Sequence, residues 1–227
     1  MSLDLISMAA GMVPAVAASA AITRTVVTNS ASIDSLTGVG TRERLPRLAR
    51  AIKRAHRYGR EAAVVMCDMR DFKTINDTYG HDAGDAVLVA TAQRLRDIDG
   101  VSDVVRLGGD EFAAVITKHE AEAVSGVARW RGLSYAIAHV LEQPLRLDNG
   151  VTLRPQATIG AAIAGHGDTL SGLLTAADTA MYAARREHRI VHVIDGALAA
   201  PVARPVERRR DPHGSAMSGA SVEVPAA

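Results

Sequence analysis

The chain has 227 residues, 48% of them hydrophobic and 22% charged, a balance that excludes a wholly disordered chain and leaves room for one or two domains. Aromatic residues make up only 3%, and Lys+Arg 26 against Asp+Glu 25 gives a formal net charge of +1, so neither a base-stacking platform nor a global attraction to a nucleic-acid polymer is supported. The single cysteine, Cys67, cannot close an internal disulfide and suits a reducing compartment.

The stretch from Leu5 to Ile22 is apolar apart from Ser7 and Ser19 and is followed by Thr23 and Arg24. Its length of about 18 residues is near the lower end for crossing a bilayer. Two uses fit it: a membrane anchor, with Arg24, Arg42, Arg44 and Arg47 holding the next domain on the cytoplasmic side, or a helix that pairs with a second copy. Residues 1–30 are therefore set apart as an N-terminal apolar helix.

Residues 31–58 read as a turn and a basic helix with Leu45, Leu48 and Ile52 on one face. Ala62 to Cys67 is a buried-strand signal ending at Asp68. Gly84 and Asp85 open a helix whose Leu88, Thr91 and Leu95 share a face. Val104 to Leu107 and Phe112 to Ile116 form a hairpin across Gly108 to Glu111. Glu120 to Leu141 is mostly helical, Val151 to Ala164 is a strand or strand pair, and Thr169 to Arg186 is an amphipathic helix with Leu170, Leu173, Leu174, Ala177, Met181 and Ala184 on one stripe. Ile190 to Ile194 is a last strand. Helices interleaved with an antiparallel hairpin predict an α+β sheet with helices packed on it. From about Pro201 periodicity disappears, and residues 197–227 are assigned to a flexible tail.

The informative chemistry lies between Asp68 and Phe112. A carboxylate at the end of a buried strand is costly unless a cation or hydrogen bonds stabilise it. Asp110 and Glu111 follow two glycines in a hairpin turn, and if that hairpin lies beside the Asp68 strand, three acids converge. Such a set suits Mg²⁺, which takes oxygen ligands and substrate phosphates. Gly108 and Gly109 leave no side chain in the way of a phosphorylated ligand. An ordinary hairpin also uses Gly-Gly-Asp, so this stretch alone leaves both readings open. Nearby, the amide of Asn76 and the carboxylate of Asp85 are a pair able to read guanine, Phe72 lies close by, and Lys73, Arg185 and Arg189 can neutralise a triphosphate.

Five blocks together carry a resemblance: Asp34-Ser35-Leu36-Thr37-Gly38; the run from Asp68 to Asp77; Gly80 to Asp85; Arg106-Leu107-Gly108-Gly109-Asp110-Glu111-Phe112; and Ala177 to Arg185. In this order they resemble the GGDEF-domain diguanylate cyclases, over a span taken as residues 31–196. The resemblance implies a palm-like sheet related to nucleotidyl cyclases and polymerases, and condensation of two GTP into cyclic di-GMP with release of pyrophosphate. By position, it implies Asp68, the Met69 carbonyl, Asp110 and Glu111 as ligands of Mg²⁺ or Mn²⁺, with Glu111 also helping to deprotonate the attacking 3′-hydroxyl. Asn76 and Asp85 would read guanine, while Phe72, Lys73, Arg185 and Arg189 lie along the phosphates and Gly108 and Gly109 make room for them. Each domain would hold one GTP, so a homodimer is part of the implied catalysis.

The chain departs from the family pattern in three places. Arg70 stands where an Asp is usual; it would either perturb the metal site or turn away to pair with an acid such as Asp71. Arg185 replaces a common Lys, and His188 a common Gly. The family's inhibitory Arg-x-x-Asp is missing, with Gly100 at the arginine position when Asp103 is taken as its acid, which predicts no product inhibition through that site. Among the remaining residues, Cys67 is expected to be core, His81 part of a turn, Asp71 solvent-facing and His166 in a loop.

Overall fold

The computed structural model describes residues 32–119 and 126–196. The apolar segment 5–22 and the tail 197–227 lie outside the described residues. After a 3₁₀ turn at Arg42–Arg44 come α1 (Leu45–Arg57), β1 (Arg60–Arg70), α2 (Phe72–Tyr79), α3 (His81–Arg96), β2 (Val101–Gly108), β3 (Glu111–His119) and α4 (Gly126–Leu141). A small pair, β4 (Leu145–Arg146) and β5 (Thr152–Leu153), precedes β6 (Gln156–Ile163), α5 (Leu170–Arg186) and β7 (Val191–Asp195). Among the described residues no helix is long and apolar enough to cross a membrane.

The main sheet has the order β2-β3-β1-β6-β7. Every neighbouring pair is antiparallel except β6 and β7, which run parallel across the α5 connection. The expected α+β sheet with packed helices is what forms. Because side chains alternate across a strand, β1 divides the core in two. Ala63, Val65, Cys67 and Met69 face α3 and α4 with Val87, Leu88, Leu95, Trp130 and Ile137. Ala62, Val64 and Met66 face α1 and α5 with Leu48, Ile52, Leu173, Ala177 and Met181. Cys67 is buried, and burial pushes its thiol up to about 12, so it is an inert core residue.

Several boundaries differ from the sequence expectation. β1 does not stop at Asp68 but continues to Arg70, because β6 offers it partners as far as Gln156. The hairpin turn is two residues, Gly109 and Asp110, and Glu111 already belongs to β3. α3 starts at His81 rather than at Gly84; Gly80, with φ 87, makes the turn, and His81 is its first helical residue. α2 carries no fully buried residue and is rich in Thr, Asn and Asp, which gives it little helical signature.

Candidate active site

The register of β1 brings the acids together. Asp68 lies opposite Glu111 on β3 and opposite Thr158 on β6. Facing residues in an antiparallel pair have Cα atoms about 4.5–5.5 Å apart and share a face, so both carboxylates project on the α1 and α5 side. Met69 donates its N–H to the Asp110 carbonyl at 3.3 Å, tying the turn to the same strand. In that turn Gly108 and Gly109 have φ 146 and 53, a backbone that glycine tolerates, and the space where a Cβ would stand is open at both.

Asp68 is buried, and burial pushes its carboxyl from the usual 3.8 up to about 6; Asp110 and Glu111 push the same way, while Arg185 pulls it back. Arg185 donates directly to Asp68 Oδ1. It therefore covers the acid in this structure. Arg185 reaches this position from the last turn of α5, where a cation also complements the helix dipole. The helix then closes by a Schellman motif: His188 N–H donates to the Arg185 carbonyl at 3.2 Å and Arg189 N–H to the Ala184 carbonyl at 2.8 Å. His188 holds the left-handed position with φ 53, which explains why glycine is usual there. Arg189, exposed, pairs with Glu187 at 3.2 Å.

The proposed guanine readers lie in the other layer. Asn76 on α2 rests against α3 so closely that a Cβ at Gly84 would stand 2.0 Å from its Oδ1 and 3.2 Å from the Phe72 ring. Gly84 is thus a packing glycine inside α3, one residue before the exposed Asp85. Phe72 is half-buried and Lys73 is exposed on α2.

Arg70 does not pair with Asp71. Asp71 is exposed with φ 54 at the start of α2, and no ion pair joins the two among the described residues. Instead Arg70 lines a cavity of about 200 Å³ with Asp71, Thr158, Arg185, His188 and Arg189. A larger cavity of about 880 Å³, lined by Arg47, Arg50, Arg54, Arg60 and Asp103 among others, lies at the opposite end of the sheet, since Arg60 and Thr117 are at the far ends of β1 and β3. It shares no residue with the acids. His166 is in an exposed loop, its ring 4.8 Å from that of His56.

Two residues in the quoted blocks, Asp34 and Arg106, carry a positioning role that spacing did not reveal. Asp34 Oδ1 accepts from Thr37 N–H at 2.9 Å and Thr37 Oγ1 at 2.6 Å, and the Arg106 guanidinium pairs with it at 3.1 Å. Arg106 also donates to the Gly109 carbonyl at 2.8 and 3.0 Å. The early segment therefore braces the glycine turn through one guanidinium. Burial works to raise the Asp34 carboxyl, but the Thr37 bonds and Arg106 outweigh it and hold it below its usual value. A depressed native pKa stabilises the fold above the unfolded value, and the gain is lost as pH falls through the native one. Asp34→Ala should cost about 1–3 kcal/mol at neutral pH. Urea melts should show that difference shrinking below about pH 4.

Among the described residues no group of three or more His, Cys, Asp or Glu side chains forms a ready-made metal cage. The donor set is nevertheless all oxygen, with Asp68 and Glu111 face to face and Asp110 beside them. A hard cation that uses one or two carboxylates plus substrate phosphates fits such a set.

Comparison with known proteins agrees with this arrangement. The family model "Diguanylate cyclase, GGDEF domain" matches residues 31–190. The chain is 43% identical over 159 residues to the diguanylate cyclase TpbB of Pseudomonas aeruginosa, covering 69% of this chain and 35% of that protein; it thus spans about a third of that relative's length. A sensory box/GGDEF family protein of Caulobacter crescentus superposes with a TM-score of 0.61 at 36% identity, covering 69% of this chain and 99% of the other. The GGDEF domain of YfiN (TpbB) from Pseudomonas aeruginosa gives 0.59 at 37% identity, covering 71% and 99%. With a palm of this register and the glycine turn set against Asp68, the chain belongs to the GGDEF-domain family.

Proposed function

We propose that this chain is a diguanylate cyclase that condenses two GTP into cyclic di-GMP and two pyrophosphates. The observation that carries the reading is the register that faces Asp68 with Glu111 beside the open Gly108-Gly109 turn. Asp68, Asp110, Glu111 and the Met69 carbonyl would hold Mg²⁺ or Mn²⁺, which when bound draws charge from the phosphoryl oxygens and the leaving pyrophosphate. Asn76 and Asp85 read the guanine edge. Lys73, Arg185 and Arg189 screen the phosphates, so Arg185 exchanges the Asp68 carboxylate for a phosphate when substrate enters.

Each 3′-hydroxyl attacks the α-phosphate of the other nucleotide, its proton passing toward Glu111. Two ester bonds form and two bonds to pyrophosphate break. One domain presents one nucleotide, so two copies must meet head to head, and orientation supplies several kcal/mol of the barrier. Specific activity should therefore rise with protein concentration until the dimer is saturated. GTP as substrate places the reaction in the cytoplasm, at the inner membrane face if residues 5–22 anchor the chain.

Position 100 supports the expected lack of product inhibition through the missing motif. Gly100 has φ 85, and a Cβ there would stand 2.5 Å from the Thr117 carbonyl, so an arginine does not fit. A second reading, a GTP- or protein-binding module without turnover, is favoured by Arg70. Incubating the full chain at high concentration with GTP and Mg²⁺ separates the two. The cyclase reading expects one cyclic di-GMP for every two pyrophosphates, whereas GTP bound but recovered unchanged would leave the binding module.

A further inference from the structure

We propose that Arg70 is a substrate-binding residue that grips the β- and γ-phosphates of GTP, an inference that rests on the cyclase reading above. Since side chains alternate along a strand, Arg70 projects on the same face as Asp68, one strand step or about 6.6–6.8 Å further on. There it lines the cavity with Thr158, Arg185, His188 and Arg189. At about 200 Å³ this space is smaller than a pocket for a whole drug-sized ligand and suits one end of a nucleotide.

Charge decides which end. Three guanidinium groups line the cavity against one carboxylate, that of Asp71. Arg185 is already paired with Asp68 and Arg189 with Glu187. Arg70 has no carboxylate partner among the described residues, so it is the guanidinium ready for an incoming anion. The guanine readers sit on α2 and α3, while Asp68, Glu111 and the arginines sit on the α5 side. A nucleotide lying across the sheet end therefore delivers its phosphates to Arg70. In place of an acid, the chain has a planar donor fork suited to bidentate phosphate binding.

The test is calorimetry on the full chain with Mg²⁺ and 3′-deoxy-GTP, which binds without reacting, alongside GMP and inorganic tripolyphosphate as competitor. Arg70→Ala should weaken 3′-deoxy-GTP about 10- to 100-fold, leave GMP affinity unchanged and weaken competition by tripolyphosphate by a similar factor. Arg70→Lys should recover part of the loss. In turnover the change should fall on KM more than on kcat. The proposal is overturned if Arg70→Ala binds 3′-deoxy-GTP like the parent chain, if GMP weakens by the same factor, or if Arg70→Asp binds more tightly. Failure of the parent chain to bind 3′-deoxy-GTP at all would overturn the cyclase reading together with this one.

Discussion

Replacing Asp68 with Asn should abolish cyclic di-GMP synthesis and at the same time make the metal-free protein more stable. Loss of a residue that merely supports a ligand costs about 10- to 100-fold in metal affinity or activity, so loss of a central carboxylate should cost at least about 100-fold in turnover. The stability gain follows from the opposite side of the same burial. The Asp68 carboxyl is raised from 3.8 to about 6 because burial outweighs the help of Arg185. A raised native pKa means the native state binds more protons than the unfolded chain between those values, so stability falls as pH rises through that window. The displacement corresponds to about 3 kcal/mol. Asn still buries an amide and releases Arg185, which is half exposed and can return to water. The net gain expected above pH 7 is about 1–2 kcal/mol, or about 3–6 °C in Tm for a chain of this size. Melts with chelator should show the difference growing as pH rises from about 4 to about 6 and complete by about pH 8. A variant that melts below the parent at pH 8 would mean that the ion pair, not the burial, governs this site.

The second large effect is expected at Gly160, far from any reacting atom. α5 lies so close to β6 that a Cβ at Gly160 would stand 2.0 Å from the Ala177 carbonyl oxygen and 2.4 Å from the Met181 nitrogen. Both obstacles are backbone, so no rotamer change relieves them. Overpacked positions typically cost about 1–3 kcal/mol, and more when nothing yields. Gly160→Ala should cost at least about 3 kcal/mol, lowering Tm by about 6–12 °C. It should also push α5 away from the sheet and carry Arg185 off Asp68. An unchanged melting curve would contradict this close packing. Nothing in the hydrophobic pattern of β6 marks the position, because the signal is an interatomic approach rather than a periodicity.

That contrast describes what the sequence makes legible. The long elements are readable from periodicity: Leu48 and Ile52 on α1, Leu88, Thr91 and Leu95 on α3, and Leu173, Ala177 and Met181 on α5 are all buried as their spacing requires. α2 escapes because it buries nothing completely, and the β4 and β5 pair because two residues per strand carry no period. For the site, the convergence of Asp68 with Asp110 and Glu111 depends on which strand the hairpin joins, and the β1 and β3 register meets that condition. Arg70 shares a face with Asp68 only if the strand runs on past Asp68, and it does so because β6 pairs with β1 as far as Gln156. The brace from Asp34 through Arg106 to Gly109 spans 72 residues of sequence separation in its first link, and no local pattern reports it. The Arg185 contact with Asp68 is likewise a product of the fold, linking the end of α5 to the middle of the sheet.

The proposed reaction requires paired carboxylates that accept a divalent ion together with the nucleotide. Electron paramagnetic resonance of Mn²⁺ added to the full chain, with and without 3′-deoxy-GTP, measures this directly. The parent chain should bind Mn²⁺ tightly only when the nucleotide is present, and Asp68→Asn should lose that binding while still retaining GMP. Equal Mn²⁺ binding by the parent and Asp68→Asn in the presence of the nucleotide would contradict it.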